Sequence, residues 1–239
     1  MQRTAAVGLS YEVVKIEGIL MMPRMMAREY NIAFCPVTDG EFSIDNPYLR
    51  EILDIRERLK GENVADISAA FLEYRPELIA RYAFSIPLLA TLRRIAGFSP
   101  LVEVGAGTGY WAMCLDQLGA EIDAYDLQPP DENSPFAWSD GNYWFDESWY
   151  AVQEGDETVA ACCPERTLFL CWPMPESPMA LQALEAYREA GGGRMIYIGD
   201  PRSSGGEDFH DALASLTIIE NRRLWSWPVT EERLIIATW

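Results

Sequence analysis

Residues 101–110 read LVEVGAGTGY, an apolar run followed by a turn with glycine at every second position. The apolar run is typical of a strand buried in a parallel sheet. The next residues place four apolar side chains on one helical face, namely Trp111, Cys114, Leu115 and Leu118. Strand, glycine-rich turn and helix form the context in which a turn receives a nucleotide-like ligand, because glycine permits close approach and positive φ.

The glycine spacing separates two classes of cofactor. A dinucleotide fingerprint needs its third glycine five positions after the first, where this chain has Tyr110. The observed spacing, preceded by Glu103, resembles the motif of class I S-adenosylmethionine (SAM) methyltransferases. The resemblance implies that Glu103 helps to hold the amino group of SAM. It also implies a set of loop residues around the cofactor, namely Gly105, Ala106, Gly107 and Gly109. A dinucleotide site and a purely structural turn remain the alternatives.

Two further acidic residues extend the predicted cofactor site. Asp126 ends the strand predicted over residues 121–125, where a carboxylate can accept hydrogen bonds from both ribose hydroxyls. Leu127 is then expected to border the adenine. The resemblance also implies that Asp156, which follows Gly155, lies near the adenine amino group. Turn chemistry alone explains a Gly-Asp pair equally well.

The pattern from residue 100 onward predicts an α/β fold, because short apolar runs alternate with helical stretches. Four of the runs are expected to form parallel strands, at residues 101–104, 121–125, 167–171 and 195–199. Helices are expected between them, at residues 111–118, 179–190 and 207–216. Two last runs, 218–227 and 233–239, are separated by a short turn and should pair antiparallel. The expected fold is Rossmann-like, a class I methyltransferase sheet with a C-terminal antiparallel hairpin.

The N-terminal part is predicted to be helical or mixed. Asn46 and Pro47 are typical of an N-cap and the first residue of a helix. A second helix is expected over 64–72, and a third from Pro76 to Gly97, bent at Pro87. We therefore divide the chain into a cap region, residues 1–75, and a SAM-binding domain, residues 76–239.

Composition restricts the class of partner. The formal net charge of −18 disfavours nucleic acid, because its phosphates would meet a repulsive field. The longest apolar runs fall short of the roughly 20 residues that cross a bilayer, and the N-terminus lacks the pattern of a secretory signal. We therefore expect a cytoplasmic protein without a membrane partner. The oligomeric state is left open.

The cysteines and the histidine give no sign of a metal site. The five cysteines are scattered and lie largely in apolar contexts, as reduced intracellular thiols do. The adjacent Cys162 and Cys163 suggest metal binding at first sight. The chain has a single histidine, His210, and no spacing resembles a zinc site. We predict no bound metal.

The catalytic group is not evident. Many amine-methylating members of the family carry Asn or Asp, two prolines and an aromatic residue after the fourth strand. Here residues 171–175 read CWPMP, which keeps the prolines and lacks the polar residue. This departure argues against methylation of a nucleobase or glutamine nitrogen. The candidates for acceptor contact are Trp172, Glu176, Asp200 and Tyr110. Each has a structural alternative as a packing or capping residue.

A long aromatic segment lies between Asp126 and Gly155. Its aromatic residues are Phe136, Trp138, Tyr143, Trp144, Phe145, Trp149 and Tyr150. A segment of this length is usually functional or disordered, and the aromatic content disfavours disorder. It is interpreted as a lid over an apolar acceptor, or else as a cover for the sheet edge or an oligomer contact.

These observations predict a SAM-dependent methyltransferase that acts on a small molecule or a protein side chain. The competing hypothesis is a methyltransferase-like module that binds SAM or a partner without transferring methyl groups. The missing polar residue near Cys171 supports that alternative, and a fold by itself does not fix a function. A nicotinamide-dependent oxidoreductase is disfavoured by Tyr110 at the third glycine position.

Overall fold

The structure is a computed structural model and describes residues 31–34, 39–130, 145 and 147–239. The helices in these ranges are α1 (Pro47–Arg58), α2 (Val64–Arg81), α3 (Leu89–Ala96), α4 (Tyr110–Asp116), α5 (Met179–Glu189) and α6 (Glu207–Ala214). The strands are β1 (Leu101–Val104), β2 (Ile122–Asp126), β3 (Val152–Glu154), β4 (Thr167–Cys171), β5 (Arg194–Gly199), β6 (Thr217–Arg223) and β7 (Arg233–Thr238). Short 3-10 helices cover Ile32–Phe34, Asp39–Ser43 and Glu157–Cys162.

The strands form one mixed sheet in the order β3-β2-β1-β4-β5-β7-β6. The pairs from β3 to β5 are parallel, and β7 runs antiparallel to both β5 and β6. The predicted α/β class, the parallel sheet and the C-terminal antiparallel hairpin are therefore confirmed. The chain therefore has a Rossmann-like fold with a mixed seven-stranded sheet.

Helices cover both faces of the sheet, which is why its central strands are largely apolar. Successive side chains of a strand point to opposite faces. In β5, Ile196 and Ile198 join the core shared with α1 to α4, whereas Met195 and Tyr197 join the core shared with α5 and α6. The parallel strands thus present their carboxyl ends together at one edge.

Two predicted helices are wrong in their bounds. The sequence predicted a break before Pro76, yet α2 continues through it to Arg81. Buried Phe71 and Leu78 pack on the core on either side of this proline, and that packing offsets the lost backbone hydrogen bond. The break falls later, between α2 and α3. The division at residue 75 stays a prediction, and its boundary lies within α2.

Two indole N–H groups donate hydrogen bonds to the non-helical segment between α2 and α3. Trp227 donates from Nε1 to the carbonyl oxygen of Phe84 over 3.1 Å, and Trp111 donates likewise to Ser85 over 3.2 Å. These bonds fix the segment to the core, and Pro87 within it has no N–H to donate to a helical partner. The third helix therefore begins at Leu89 instead of near residue 76.

Two strand predictions also need correction. The strand β3 was missed, because Val152 is the single apolar residue of its three and gives no alternating pattern. The strand β6 ends at Arg223 instead of residue 227, because Trp225 and Trp227 turn into the core. Four of the aromatic residues named for the predicted lid, at positions 136, 138, 143 and 144, lie outside the described residues, as does Cys35.

Asn46 joins α1 to the rest of the core. Its buried side chain caps α1 by accepting from the backbone N–H of Leu49 over 3.1 Å, which confirms the predicted N-cap. The same oxygen accepts from the hydroxyl of Tyr110 over 2.9 Å, and its Nδ2 donates to the carbonyl oxygen of Pro87 over 2.8 Å. One side chain therefore links α1, the start of α4 and the segment before α3.

We predict that Asn46→Ala lowers the free energy of unfolding by about 2 to 4 kcal/mol, because a cap is lost and the Tyr110 hydroxyl is left without its acceptor. The matched control is Asn63→Ala, an exposed cap of α2 that bonds the N–H groups of Ala65 and Asp66. Its loss should cost about 1 kcal/mol. Urea denaturation of both variants is the measurement, and equal losses would contradict the role given to Asn46.

Candidate functional site

The glycine-rich loop follows β1 at the carboxyl edge of the sheet. It lies where the strand order reverses between β1 and β4, the place where open α/β sheets bind their ligands. Gly105, Gly107 and Gly109 have φ angles of 75°, 55° and 71°. The predicted need for positive φ is therefore met at all three positions, and side chains there would be strained.

Protein side chains make close contact with these glycines. A Cβ atom added to Gly107 would lie 2.3 Å from Cε2 of Phe145. One added to Gly109 would lie 2.8 Å from Cβ of Tyr150, and one added to Gly105 would lie 2.9 Å from Cε of Met179. The close approach that the sequence analysis assigned to a ligand is made here by neighbouring side chains. A ligand on this face of Gly107 has to displace the Phe145 ring.

Asp126 ties the glycine loop to the end of β2. Its Oδ2 accepts the backbone N–H of Gly107 over 2.8 Å, and its Oδ1 accepts that of Gln128 over 2.9 Å. Burial raises the pKa of this carboxyl, and the two backbone bonds oppose the rise. Leu127, beside it, is 66% exposed. Asp126 thus has a structural role in the loop that the sequence did not indicate.

Glu103 lies in β1, two residues before the first glycine of the loop, and is buried. Its Oε2 atom has no hydrogen-bond partner among the residues that the structure describes. Burial, followed by the charge of Asp126, raises the pKa of Glu103 to about 8. A buried carboxyl oxygen in this state needs a proton or a donor. The position fits a ligand that brings an N–H group.

Asp156 is exposed and caps the 3-10 helix that follows it. Its Oδ1 accepts from the hydroxyl of Thr158 over 2.5 Å and from the backbone N–H of Thr158 over 2.9 Å. These bonds hold the pKa of Asp156 below its usual value. The turn chemistry noted in the sequence accounts for these contacts. Gly155 donates its N–H to the carbonyl oxygen of Asp126 over 2.9 Å, so the pair still lies beside the end of β2.

Two of the four candidates for acceptor contact, Tyr110 and Asp200, make hydrogen bonds within the fold. Tyr110 is fully buried, and its hydroxyl is engaged by Asn46. Asp200 is buried and accepts the backbone N–H groups of Arg202 and Glu231, each over 3.0 Å. Burial raises the pKa of Asp200, yet these hydrogen bonds outweigh it and lower the pKa overall. Both side chains therefore have structural contacts, and their role in contacting the acceptor stays a prediction.

Trp172 lies at the end of β4, and Glu176 is exposed in the following turn. Trp172 has a φ of 52°, an uncommon value for a residue other than glycine and one that clusters at functional sites. Its ring stacks on Phe84 at 5.7 Å between centroids, and Phe84 meets Phe145 edge-on at 6.0 Å. We call Phe145, Phe84 and Trp172 the aromatic row. It runs from the glycine loop to β4.

Sequence reasoning missed three polar residues near this edge. Glu232 precedes β7 and is completely buried, and neither of its carboxyl oxygens has a hydrogen-bond partner in the described part of the chain. The same holds for the buried hydroxyl of Ser85 and for Nε of Arg75. In the sequence, Glu232 is one of two adjacent acids in a turn, a pattern typical of solvated residues. Nothing in its spacing indicated burial.

Among the described residues, no three His, Cys, Asp or Glu side chains come together as a metal ion would need. Cys162 and Cys163 are free thiols. No described helix has the length and the apolar composition to cross a membrane.

Comparison with known proteins gave matches among solved structures alone. No family model matches the chain. No curated protein matches it either.

One similar structure is magnesium protoporphyrin IX methyltransferase from Synechocystis PCC 6803 with bound SAM, at 12% identity and a TM-score of 0.40, covering 85% of this chain and 99% of that one. A protein of the NADB-Rossmann superfamily from Streptococcus agalactiae matches at 16% identity and a TM-score of 0.40, over 64% of this chain and 68% of that one. The tRNA (uracil-54, C5)-methyltransferase of Pyrococcus abyssi matches at 14% identity and a TM-score of 0.39, over 62% of this chain and 37% of that one. The assignment of the fold therefore rests on the strand order.

The raised pKa of Glu103 predicts how stability depends on pH. Between the ordinary value of 4.5 and the folded value of about 8, the folded protein holds a proton that the unfolded chain has lost. Stability should therefore fall as pH rises through this window, by up to about 1.4 kcal/mol per pH unit for one such group. Glu103→Gln should flatten the slope measured by urea denaturation from pH 5 to 8. The exposed control Glu73→Gln should not, and an unchanged slope in Glu103→Gln would refute the assignment.

Proposed function

We propose that this chain is a SAM-dependent methyltransferase whose cofactor binds at the glycine loop between the carboxyl ends of β1 and β4. One observation carries the proposal. Three glycines with positive φ form a loop that is bonded to the carboxylate of Asp126 and follows the strand that carries the unpartnered buried oxygen of Glu103. A cradle of this kind beside two acids fits a ligand with both hydroxyl and amino groups.

Each residue of the proposed cofactor site has a chemical task. The Glu103 oxygen would accept from the amino group of the cofactor, and Asp126 would accept from the ribose hydroxyls. A carboxylate accepts up to about four hydrogen bonds, so the two backbone bonds of Asp126 do not preclude this role. The loop backbone would surround the cofactor through Gly105, Ala106, Gly107 and Gly109. Leu127 would border the adenine, and Asp156 would approach its amino group. Bound SAM supplies an electrophilic methyl group.

The aromatic row supports methyl transfer to a small molecule or a protein side chain. Methyl transfer needs the acceptor held close to the methyl group in a site that excludes water. Trp172 is buried at the end of β4 and is linked through Phe84 to Phe145 on the glycine loop. These rings would form an apolar wall beside the methyl group. The net charge of −18 still predicts that nucleic acid is not the substrate.

A second candidate function is a module that transfers no methyl group. The packing of Phe145 on Gly107 and of Tyr150 on Gly109 favours it, because both glycines then serve internal contacts. In that case the loop would be a structural joint between β1 and the segment before β3. A loop that binds the cofactor and a loop that serves packing alone differ in what happens when Phe145 is removed.

We predict that SAM and S-adenosylhomocysteine raise the melting temperature, whereas NAD and NADP do not, because a ligand stabilises only the state it binds. Asp126→Asn keeps the shape of the side chain and one acceptor oxygen while it removes the charge. It should weaken S-adenosylhomocysteine binding by about 10-fold to 100-fold in calorimetry.

The control for this experiment is Asp54→Asn, an exposed acid on α1. Asp123, the other acid of β2, is unsuitable as a control because its carboxylate forms an ion pair with Arg166 at 3.1 Å. A larger thermal shift with NAD would end the SAM assignment. Equal affinity of wild type and Asp126→Asn would remove the ribose contact from it.

Phe145→Ala distinguishes a loop that binds the cofactor from a loop that serves packing alone. If the Phe145 ring covers the cofactor loop, the ligand must move the ring before it can bind, which costs free energy. Without the ring, S-adenosylhomocysteine should bind more tightly by about tenfold in calorimetry. The exposed control Phe42→Ala should leave the affinity unchanged. A module whose glycines only pack against side chains predicts no binding by either protein. That result would refute the methyltransferase.

A further inference from the structure

Four polar side chains come from α2, the segment before α3, the end of β4 and the start of β7, and two of them, Ser85 and Glu232, are completely buried. We call Arg75, Ser85, Cys171 and Glu232 the acid chamber. Both carboxyl oxygens of Glu232 and the hydroxyl of Ser85 are buried, and none of them has a hydrogen-bond partner within the described ranges. Buried polar groups nearly always have partners, so those without one mark places where a ligand or water belongs.

Electrostatic interactions join these groups to each other and to the proposed cofactor site. Burial raises the pKa of Glu232 to about 8, and Ser85 and the charge of Arg75 act against the rise. The hydroxyl groups of Ser85 and Thr230 therefore lie close enough to the carboxyl to lower its pKa, although neither meets the geometric requirement of a hydrogen bond. The pKa of the Cys171 thiol is raised by desolvation, then by Glu103 and then by Glu232. Cys171 thus lies within the fields of both acids.

Aromatic rings border the chamber. The Arg75 guanidinium lies over the ring of Trp172 at 5.7 Å and over that of Trp227 at 6.0 Å from the centroids. Trp172 is also the last member of the aromatic row, which leads to the glycine loop. The acid chamber therefore adjoins the surface at which we propose that the methyl group is presented.

The unpartnered atoms define the chemistry of the missing ligand. Glu232 offers two carboxyl oxygens, which together can accept up to about four hydrogen bonds, whereas Arg75 offers one N–H and Ser85 a single hydroxyl. Acceptors thus outnumber donors, so a complementary ligand brings N–H donors and positive charge. Tryptophan faces also favour a cation or a flat ring beside them. An amine satisfies both conditions.

We propose that Glu232 binds the methyl acceptor and that this acceptor is an amine. The proposal rests on the methyltransferase function and names its substrate class. It also answers the departure noted after β4, where residues 171–175 lack the polar side chain that many amine-methylating enzymes carry. Here the polar group reaches the same edge of the sheet from the start of β7, since Gly199 of β5 pairs with Arg233.

The test is calorimetry with benzylamine in the presence of S-adenosylhomocysteine, with benzyl alcohol and benzoate as the matched neutral and anionic probes. Wild type should prefer benzylamine. Glu232→Gln keeps the size of the side chain and removes its charge, and it should weaken benzylamine binding by about tenfold or more. The control is Glu231→Gln, a partly exposed neighbour that pairs with Arg223 over 3.6 Å and should bind as wild type does.

Arg75→Met provides a second variant should Glu232→Gln not fold. Removing the competing cation should tighten benzylamine binding by about tenfold. The proposal is overturned if benzoate binds better than benzylamine, if Glu232→Gln binds benzylamine as wild type does, or if no probe binds and the chamber holds water alone. S-adenosylhomocysteine is also titrated by itself. If S-adenosylhomocysteine binds and benzylamine does not, the role given to the acid chamber is refuted. If benzylamine binds and S-adenosylhomocysteine does not, the proposed function is refuted.

Discussion

The left-handed backbone of three glycines after β1 is the constraint on which the carboxyl edge of the sheet depends. It turns the N–H of Gly107 toward the carboxylate of Asp126 and so fixes the loop to β2. The same turn brings the Thr108 hydroxyl to the carbonyl oxygen of Tyr82, at the end of α2. One loop therefore aligns the sheet and the N-terminal helices. A side chain at these glycines would disturb both, because it would meet neighbouring residues and force an unfavourable φ.

The parts of the fold that a sequence predicts are those where one physical signal dominates. Strands buried on both faces appear as apolar runs, and their ends were predicted to within one or two residues for β1, β4 and β5. The strand β3 is short and largely exposed, so it carries no such signal. Pro76 misled the helix prediction, because packing on either side of it outweighs its local preference.

The residues of the candidate site also differ in how far the sequence predicts them. Residues that follow a strand directly, such as Asp126, are found because the topology places strand ends together. Asp200 follows that rule too, yet its carboxylate caps a turn, a role that local sequence does not distinguish from ligand binding. Glu232 and Ser85 meet because β7 returns antiparallel beside β5 and because two indoles hold the segment before α3. The spacing of residues in a single sequence does not show that these two side chains are close in space.

The buried acids decide how the packing of Phe145 on the glycine loop is interpreted. A carboxyl without a partner is costly to bury, and an apolar residue of similar volume would often be as stable or more stable. A module that uses its glycines for packing alone needs neither Glu103 before the loop nor Glu232 behind Trp172. Burying two carboxyl groups without partners at one edge of the sheet lowers stability, and such destabilising groups are typical of binding sites. Under the proposed function, Phe145 is a ring that covers the ligand site.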